Sequence, residues 1–200
     1  MRTITEFEKK DIEWAFNLVR KTIDAVFENT EPFIGAVPEV FKQKKGVFVT
    51  LTIKNKLRGC MGFIKPLFPI WDALMKASKS AAFQDPRFPP LRRYELDKIE
   101  IEVSFLTKPK KIEVNNPKEY LEKINNRMGL ILRKGFYAGV LLPQVWKEIP
   151  DKQDFLNALC EKAGLGWGSW LDKGVIIESF NVISYKEFKN NGKKIIKRIM

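Results

Sequence analysis

Polar and apolar positions alternate in two different rhythms along this chain. Near the N-terminus, Ala15, Leu18, Val19, Thr22 and Val26 recur at helical spacing. Thr5 and Glu8 stand at capping-box spacing just before them. Asn29-Thr30-Glu31-Pro32 predicts the stop, because a residue before proline avoids the helical region. Residues 38–45 read as a short helical turn and a loop. The rhythm then changes to period two. Val47, Val49, Leu51 and Ile53 share one strand face, and Thr50 and Thr52 lie on the other. A turn at Asn55-Lys56 leads into a second strand over residues 57–64, bent by Gly59 and Gly62.

Residues 70–83 predict a helix with Pro69 near its start and Ala73, Ala77, Ser78 and Ala81 allowing close packing. Ile99, Ile101, Val103 and Phe105 alternate with Glu100, Glu102 and Ser104, which predicts a strand with one wet face. Asn116-Pro117 with Glu119 marks a short helix start. Residues 130–142 read as a hairpin around Lys134-Gly135, its second strand apolar on both faces and therefore expected to be central. Asp151 caps a helix over 152–163, with Phe155, Leu156, Leu159 and Cys160 inward and Gly164 as its stop. Residues 175–185 form the last long strand. Short turns between intermixed helices and strands give an α+β fold, largely antiparallel sheet with flanking helices. The β–β–α stretch around 46–85 is the natural smaller unit.

Composition narrows the chemistry. Among 200 residues there is no histidine, so His-based triads and His-ligated metals are excluded within the chain. The two cysteines, Cys60 and Cys160, are too far apart in sequence for a Cys-x-x-Cys pair. No metal or nucleotide signature is present, and the cofactor is unknown. No apolar run approaches the ~20 residues of a membrane span, and the first ten residues carry no signal-peptide pattern. The expectation is a cytoplasmic protein with no membrane contact. A net charge of +12 favours anionic partners. Most lysines are interspersed with glutamates, and the one dense basic run, Lys193, Lys194, Lys197 and Arg198, is expected to be a frayed tail.

Two clusters stand out. In Leu57-Arg58-Gly59-Cys60-Met61-Gly62, glycines frame a cysteine beside an arginine. An adjacent cation favours the nucleophilic thiolate, and an arginine fork clamps carboxylates or phosphates. The alternative is a bent strand with a small buried cysteine and an arginine paired to a nearby acid. In Asp85-Pro86-Arg87-Phe88-Pro89-Pro90 a stiff loop either presents Arg87 or is braced by an Asp85–Arg87 pair. Gln144 follows a strand end at Leu142-Pro143, where termination outranks chemistry. Cys160 reads as core, and Trp167 and Trp170 as a packed lid.

These elements, with Glu102-Val103-Ser104-Phe105-Leu106, Leu142-Pro143-Gln144-Val145 and Leu159-Cys160-Glu161-Lys162-Ala163-Gly164-Leu165, stand in the order typical of the AMMECR family. The chain resembles a stand-alone archaeal-type member of that family from about Gly46 onward. The resemblance implies a two-part fold with a cleft, a larger part of roughly residues 1–35 and 96–200 and a smaller one of roughly 36–95. It also implies a pathway association with Memo-like and radical-SAM proteins. It implies no particular reaction.

Three functional readings follow. In the first, an enzyme or enzyme component uses Cys60 as nucleophile or carrier. Arg58 and Arg87 anchor a small anionic substrate, with Asp85 or Glu102 orienting them and Gly59, Gly62 and Gln144 lining the site. In the second, the Arg58–Cys60 loop docks a partner without covalent chemistry. The third, nonspecific nucleic-acid binding through charge, has no recognised motif behind it.

Overall fold

The computed structural model describes residues 7–190 and 193–200. The chain divides into two compact units, one formed by the chain up to Leu106 and from Ile183 onward, the other by Thr107–Val182. The described helices are α1 (Lys9–Glu28), α2 (Ile70–Phe83), α3 (Tyr120–Lys123) and α4 (Lys152–Lys162). The described strands are β1 (Gly46–Ile53), β2 (Lys56–Phe63), β3 (Glu100–Leu106), β4 (Lys110–Lys111), β5 (Met128–Lys134), β6 (Tyr137–Leu141), β7 (Ile176–Asn190) and β8 (Lys193–Arg198).

In the first unit the strand order is β2-β1-β3 followed by the latter part of β7, with β8 antiparallel to β7. β1 is central, antiparallel to β2 on one side and to β3 on the other. Its period-two pattern decides which face is dry. Val47, Val49 and Leu51 are fully buried beside Ile101, Val103 and Phe105, against Leu18, Val19 and Ile23 of α1 and Leu74, Ala77 and Ala81 of α2. The other face carries Thr50, Cys60 and Glu102 in one row, since Thr50 is in register with both.

α1 begins after Glu8, whose N–H donates to Asp11 Oδ2 at 3.1 Å, and ends at Asn29 in the left-handed region. The Thr5 cap lies outside the described residues. Val26 is 39% exposed, and Ala25 takes the buried place. The β1–β2 turn sits at Lys54-Asn55, one residue earlier than expected, with φ of 50° and 61°. Ser104, expected on a wet face, is buried because its hydroxyl meets that of Ser184 at 2.7 Å. The basic C-terminal run is not frayed: residues 193–198 pair with β7 in register Lys186↔Lys197 and Phe188↔Ile195.

In the second unit the sheet order is β7-β5-β6, with β4 on the other side of β7. β5, not β6, is the central strand here. β6 reads as apolar on both faces, yet it sits at the edge, and its first residue Tyr137 is 53% exposed. The core gathers Leu130, Leu132, Phe155, Leu156, Leu159, Cys160 and Ile177. Asp151 accepts from the N–H groups of Gln153 and Asp154, and Gly164 (φ 79°) closes α4. Trp146 stacks on Phe155 at 3.7 Å between ring centres. Both cysteines are free.

The division of the chain departs from the expected split at 36–95. That stretch does not stand apart, because β1 shares a full ladder with β3 and α2 packs on α1 as well as on its own hairpin.

Helix α2 lies so close to β2 that only glycine fits at position 59. A Cβ there would stand 2.0 Å from the Ala81 carbonyl oxygen. Gly59→Ala should therefore destabilise the protein by about 3 kcal/mol, read as a lowered urea midpoint at unchanged slope.

Candidate functional site

β2 is an edge strand, so one row of its backbone groups has no strand to pair with among the described residues. The Asp85–Pro90 loop supplies part of what is missing. Asp85 Oδ2 accepts the Cys60 N–H at 2.8 Å, and Arg87 Nη2 donates to the Cys60 carbonyl at 3.2 Å. Asp85 and Arg87 are themselves joined twice, Nε to Oδ1 at 2.9 Å and Nη2 to Oδ2 at 2.7 Å, and the Arg87 N–H reaches Oδ1 at 3.1 Å. One carboxylate thus holds the edge of β2 and the start of its own loop.

Arg58 fixes the far end of the same loop. Its Nε and Nη2 grip Glu95 at 2.8 and 2.9 Å, while Nη1 and Nη2 donate to the carbonyls of Pro89 and Pro90 at 2.9 and 3.3 Å. Both side chains of this pair are only 13% exposed. Arg58 is therefore engaged as a brace. Glu95, which also accepts the Arg92 N–H, is the partner that sequence reading missed. Its signal was weak: an acid 37 positions from Arg58 with no local pattern pointing to it.

The Cys60 side chain is half-buried on the polar face, its Sγ 3.0 Å from Thr50 Oγ1. Burial pushes the thiol up from its ordinary value. The Thr50 hydrogen bond and the Arg87 charge pull it back only in part, and Glu102 and Asp85 push it further up. The balance is upward, toward the thiol form. Asp85, by contrast, is held well below the usual carboxylate range, mainly by Arg87 and then by the N–H groups of Cys60 and Arg87, against the cost of burial. Glu95 is lowered in the same sense, first by its bond to Arg58.

Arg87 differs from Arg58. Its side chain is 54% exposed, it lies 5.6 Å from the Phe88 ring centre, and its Nη1 makes no hydrogen bond among the described residues. Glu102 completes the row beyond Thr50 and accepts from Ser104 at 3.5 Å. Gly59 and Gly62 serve close approach, Gly62 lying over the backbone of Val47 and Phe48. Gln144 belongs to the second unit, in the turn Pro143–Lys147 after β6, and its buried Oε1 has no hydrogen-bond partner among the described residues. Within the first unit the structure brings together Arg58, Gly59, Cys60, Gly62, Asp85, Arg87 and Glu102. No group of three or more Cys, Asp or Glu side chains among the described residues is arranged to hold a metal ion.

A family model described as AMMECR1 matches residues 15–185. The chain belongs to the AMMECR1 family. Relatives include Protein MJ0810 of Methanocaldococcus jannaschii, 45% identical over 94% of this chain and 95% of that one. Protein NEQ441 of Nanoarchaeum equitans is 45% identical over 78% of this chain and 88% of its own length. The crystal structure of the uncharacterized protein PH0010 from Pyrococcus horikoshii superposes with a TM-score of 0.86 at 37% identity, covering 96% of this chain and 99% of that one. In this AMMECR1 chain the Arg-Gly-Cys and Asp-Pro-Arg elements are bonded directly to one another. No described helix is long and apolar enough to cross a membrane.

The Asp85 geometry sets a pH dependence. Its pKa is lower folded than unfolded, so its stabilisation is present above the unfolded value of ~3.9 and is lost as pH falls below it. Glu95 adds a loss of the same sign. Asp85→Asn should remove its share, leaving a urea midpoint that falls less steeply between about pH 5 and pH 2. Asp85→Ala should cost about 2–4 kcal/mol at pH 7, because the Cys60 N–H loses its partner.

Proposed function

We propose that this protein is a non-catalytic binding module, and that Arg87 is its contact for an anionic group on a small ligand or a partner segment. One observation carries the reading: Arg87 is clamped through Nε and Nη2 yet half-exposed, with Nη1 unspent among the described residues. A guanidinium fixed in advance loses little freedom on meeting a carboxylate or phosphate, and its planar fork suits both. Phe88 beside it offers a flat apolar neighbour. Cys60 contributes a neutral hydrogen-bonding group. Arg58 holds the loop and does not touch the ligand.

The covalent reading rests on the row of Cys60, Thr50 and Glu102, in which a carboxylate stands one strand beyond the hydroxyl that meets the thiol. Nucleophilic work needs the thiolate, and burial disfavours it here.

Two measurements separate these readings. Iodoacetamide labelling of Cys60, followed site by site by mass spectrometry, should be slow at pH 7 and should rise only above the ~8.5 of a free cysteine. Rapid labelling well below that pH would replace the binding reading with the nucleophile. Titration with inorganic phosphate or acetate, followed by the Arg87 Nε–H resonance, should give a saturable shift. Arg87→Lys, which keeps the charge and loses the fork, should weaken it about tenfold. An Arg87 signal that does not move with either anion ends the proposal.

A further inference from the structure

The second unit exposes large aromatic side chains at one end of its sheet. Phe136 sits at the tip of the β5–β6 hairpin and is fully exposed; Tyr137 beside it is 53% exposed. Trp167 is 69% exposed, on the loop that follows α4. These segments meet. A Cβ on Gly164, the residue that ends α4, would lie 3.7 Å from the Tyr137 ring, and Lys134 at the hairpin bonds Asp172 at 2.7 Å. Trp167 is oriented through its indole N–H, which donates to Glu161.

The charges named around this patch carry a small positive surplus, Arg133, Lys134, Lys162 and Lys173 against Glu161, Asp172 and Glu178. The acidic members are already engaged, Asp172 by Lys134, Glu161 by Trp167 and Glu178 by Arg133. Lys162, on the last turn of α4, and Lys173, next to Asp172, are exposed and form no ion pair among the described residues. The surplus is positive.

We propose that this end of the second unit rests on an anionic lipid surface, with Phe136 and Trp167 entering the interface and Lys162 and Lys173 facing the headgroups. The shape favours lipid over a protein partner. Aromatic anchors at protein interfaces work when a pocket encloses them, whereas a fully exposed residue on a hairpin tip is convex and has no wall beside it. Trp and Tyr pair an apolar body with a polar tip, the combination favoured at headgroup depth, and nearby lysines add attraction to anionic lipid. The lack of a ~20-residue apolar run, from which no membrane contact was expected, bears on spanning and not on surface attachment.

Co-sedimentation of the full chain with vesicles tests this. The intact protein should bind vesicles containing phosphatidylglycerol and should not bind pure phosphatidylcholine. Phe136→Ser combined with Trp167→Ser leaves the net charge unchanged and should weaken binding about tenfold, as loss of interfacial apolar area requires. Lys162→Glu combined with Lys173→Glu should weaken it similarly, and added salt should weaken the intact protein. Brominated lipid should quench fluorescence in the intact protein and much less in Trp167→Phe. All four positions are exposed, and unchanged circular dichroism and melting temperature show that the variants fold. Equal binding by the intact protein and the aromatic double variant would reduce the effect to bulk charge and overturn the proposal. No binding at all would also overturn it, as would lipid-independent self-association that Phe136→Ser abolishes.

Discussion

A single buried carboxylate organises the signature region of this protein. Asp85 accepts hydrogen bonds from the backbone of β2, from the backbone of its own loop and from the Arg87 guanidinium. An edge strand presents backbone groups that need partners, and here a side-chain pair supplies them for Cys60. The pair also closes the edge to another strand at that point. Asp85 tolerates burial because every bond it makes stabilises its charged form, so the gain exceeds the cost of leaving water.

The neighbouring features follow from that clasp. The loop must approach β2, so proline-rich chain runs across it and Arg58 reaches the Pro89 and Pro90 carbonyls. Glu95 then neutralises Arg58 in a bidentate pair, which leaves that fork committed. α2 must come down onto the strand, and Gly59 removes the side chain that would stand in its way. Cys60 is left half-buried on the opposite face, beside a hydroxyl and away from any deprotonating base in direct contact. Burial of the thiol disfavours its thiolate, and the Thr50 bond and the Arg87 charge offset that only in part. A signature that reads like a nucleophile's surroundings is, in physical terms, first a clasp.

The two arginines illustrate how context separates like residues. Both pair with an acid in or beside one loop. Arg58 is 13% exposed and spends its donors on four acceptors. Arg87 is 54% exposed and keeps one end unspent among the described residues. The proposed contact for an external anion therefore falls on the second. No sequence rule distinguishes them, because the difference lies in which carbonyls happen to lie within reach.

What the sequence determined by itself was local. The 3.6-residue and two-residue rhythms, the Asp151 cap and the Asn116-Pro117 start all depend on neighbours within a few positions, and α2, β1 and α4 fall where those signals put them. That these motifs belong to one set was legible only as a resemblance, through their order along the chain. Tertiary structure alone decided the rest. Cys60 meets Asp85 25 positions away, and Arg58 meets Glu95 37 positions away. β6 looks central by composition and is an edge, since strand order is set by which ladders form and not by a strand's own apolarity. Trp170 is buried while Trp167, three residues earlier, stands in solvent, because one indole finds Asn157 inside the fold and the other finds only Glu161 at its surface. Partners distant along the chain leave no periodic trace in it, and these partners fix the chemistry of the site.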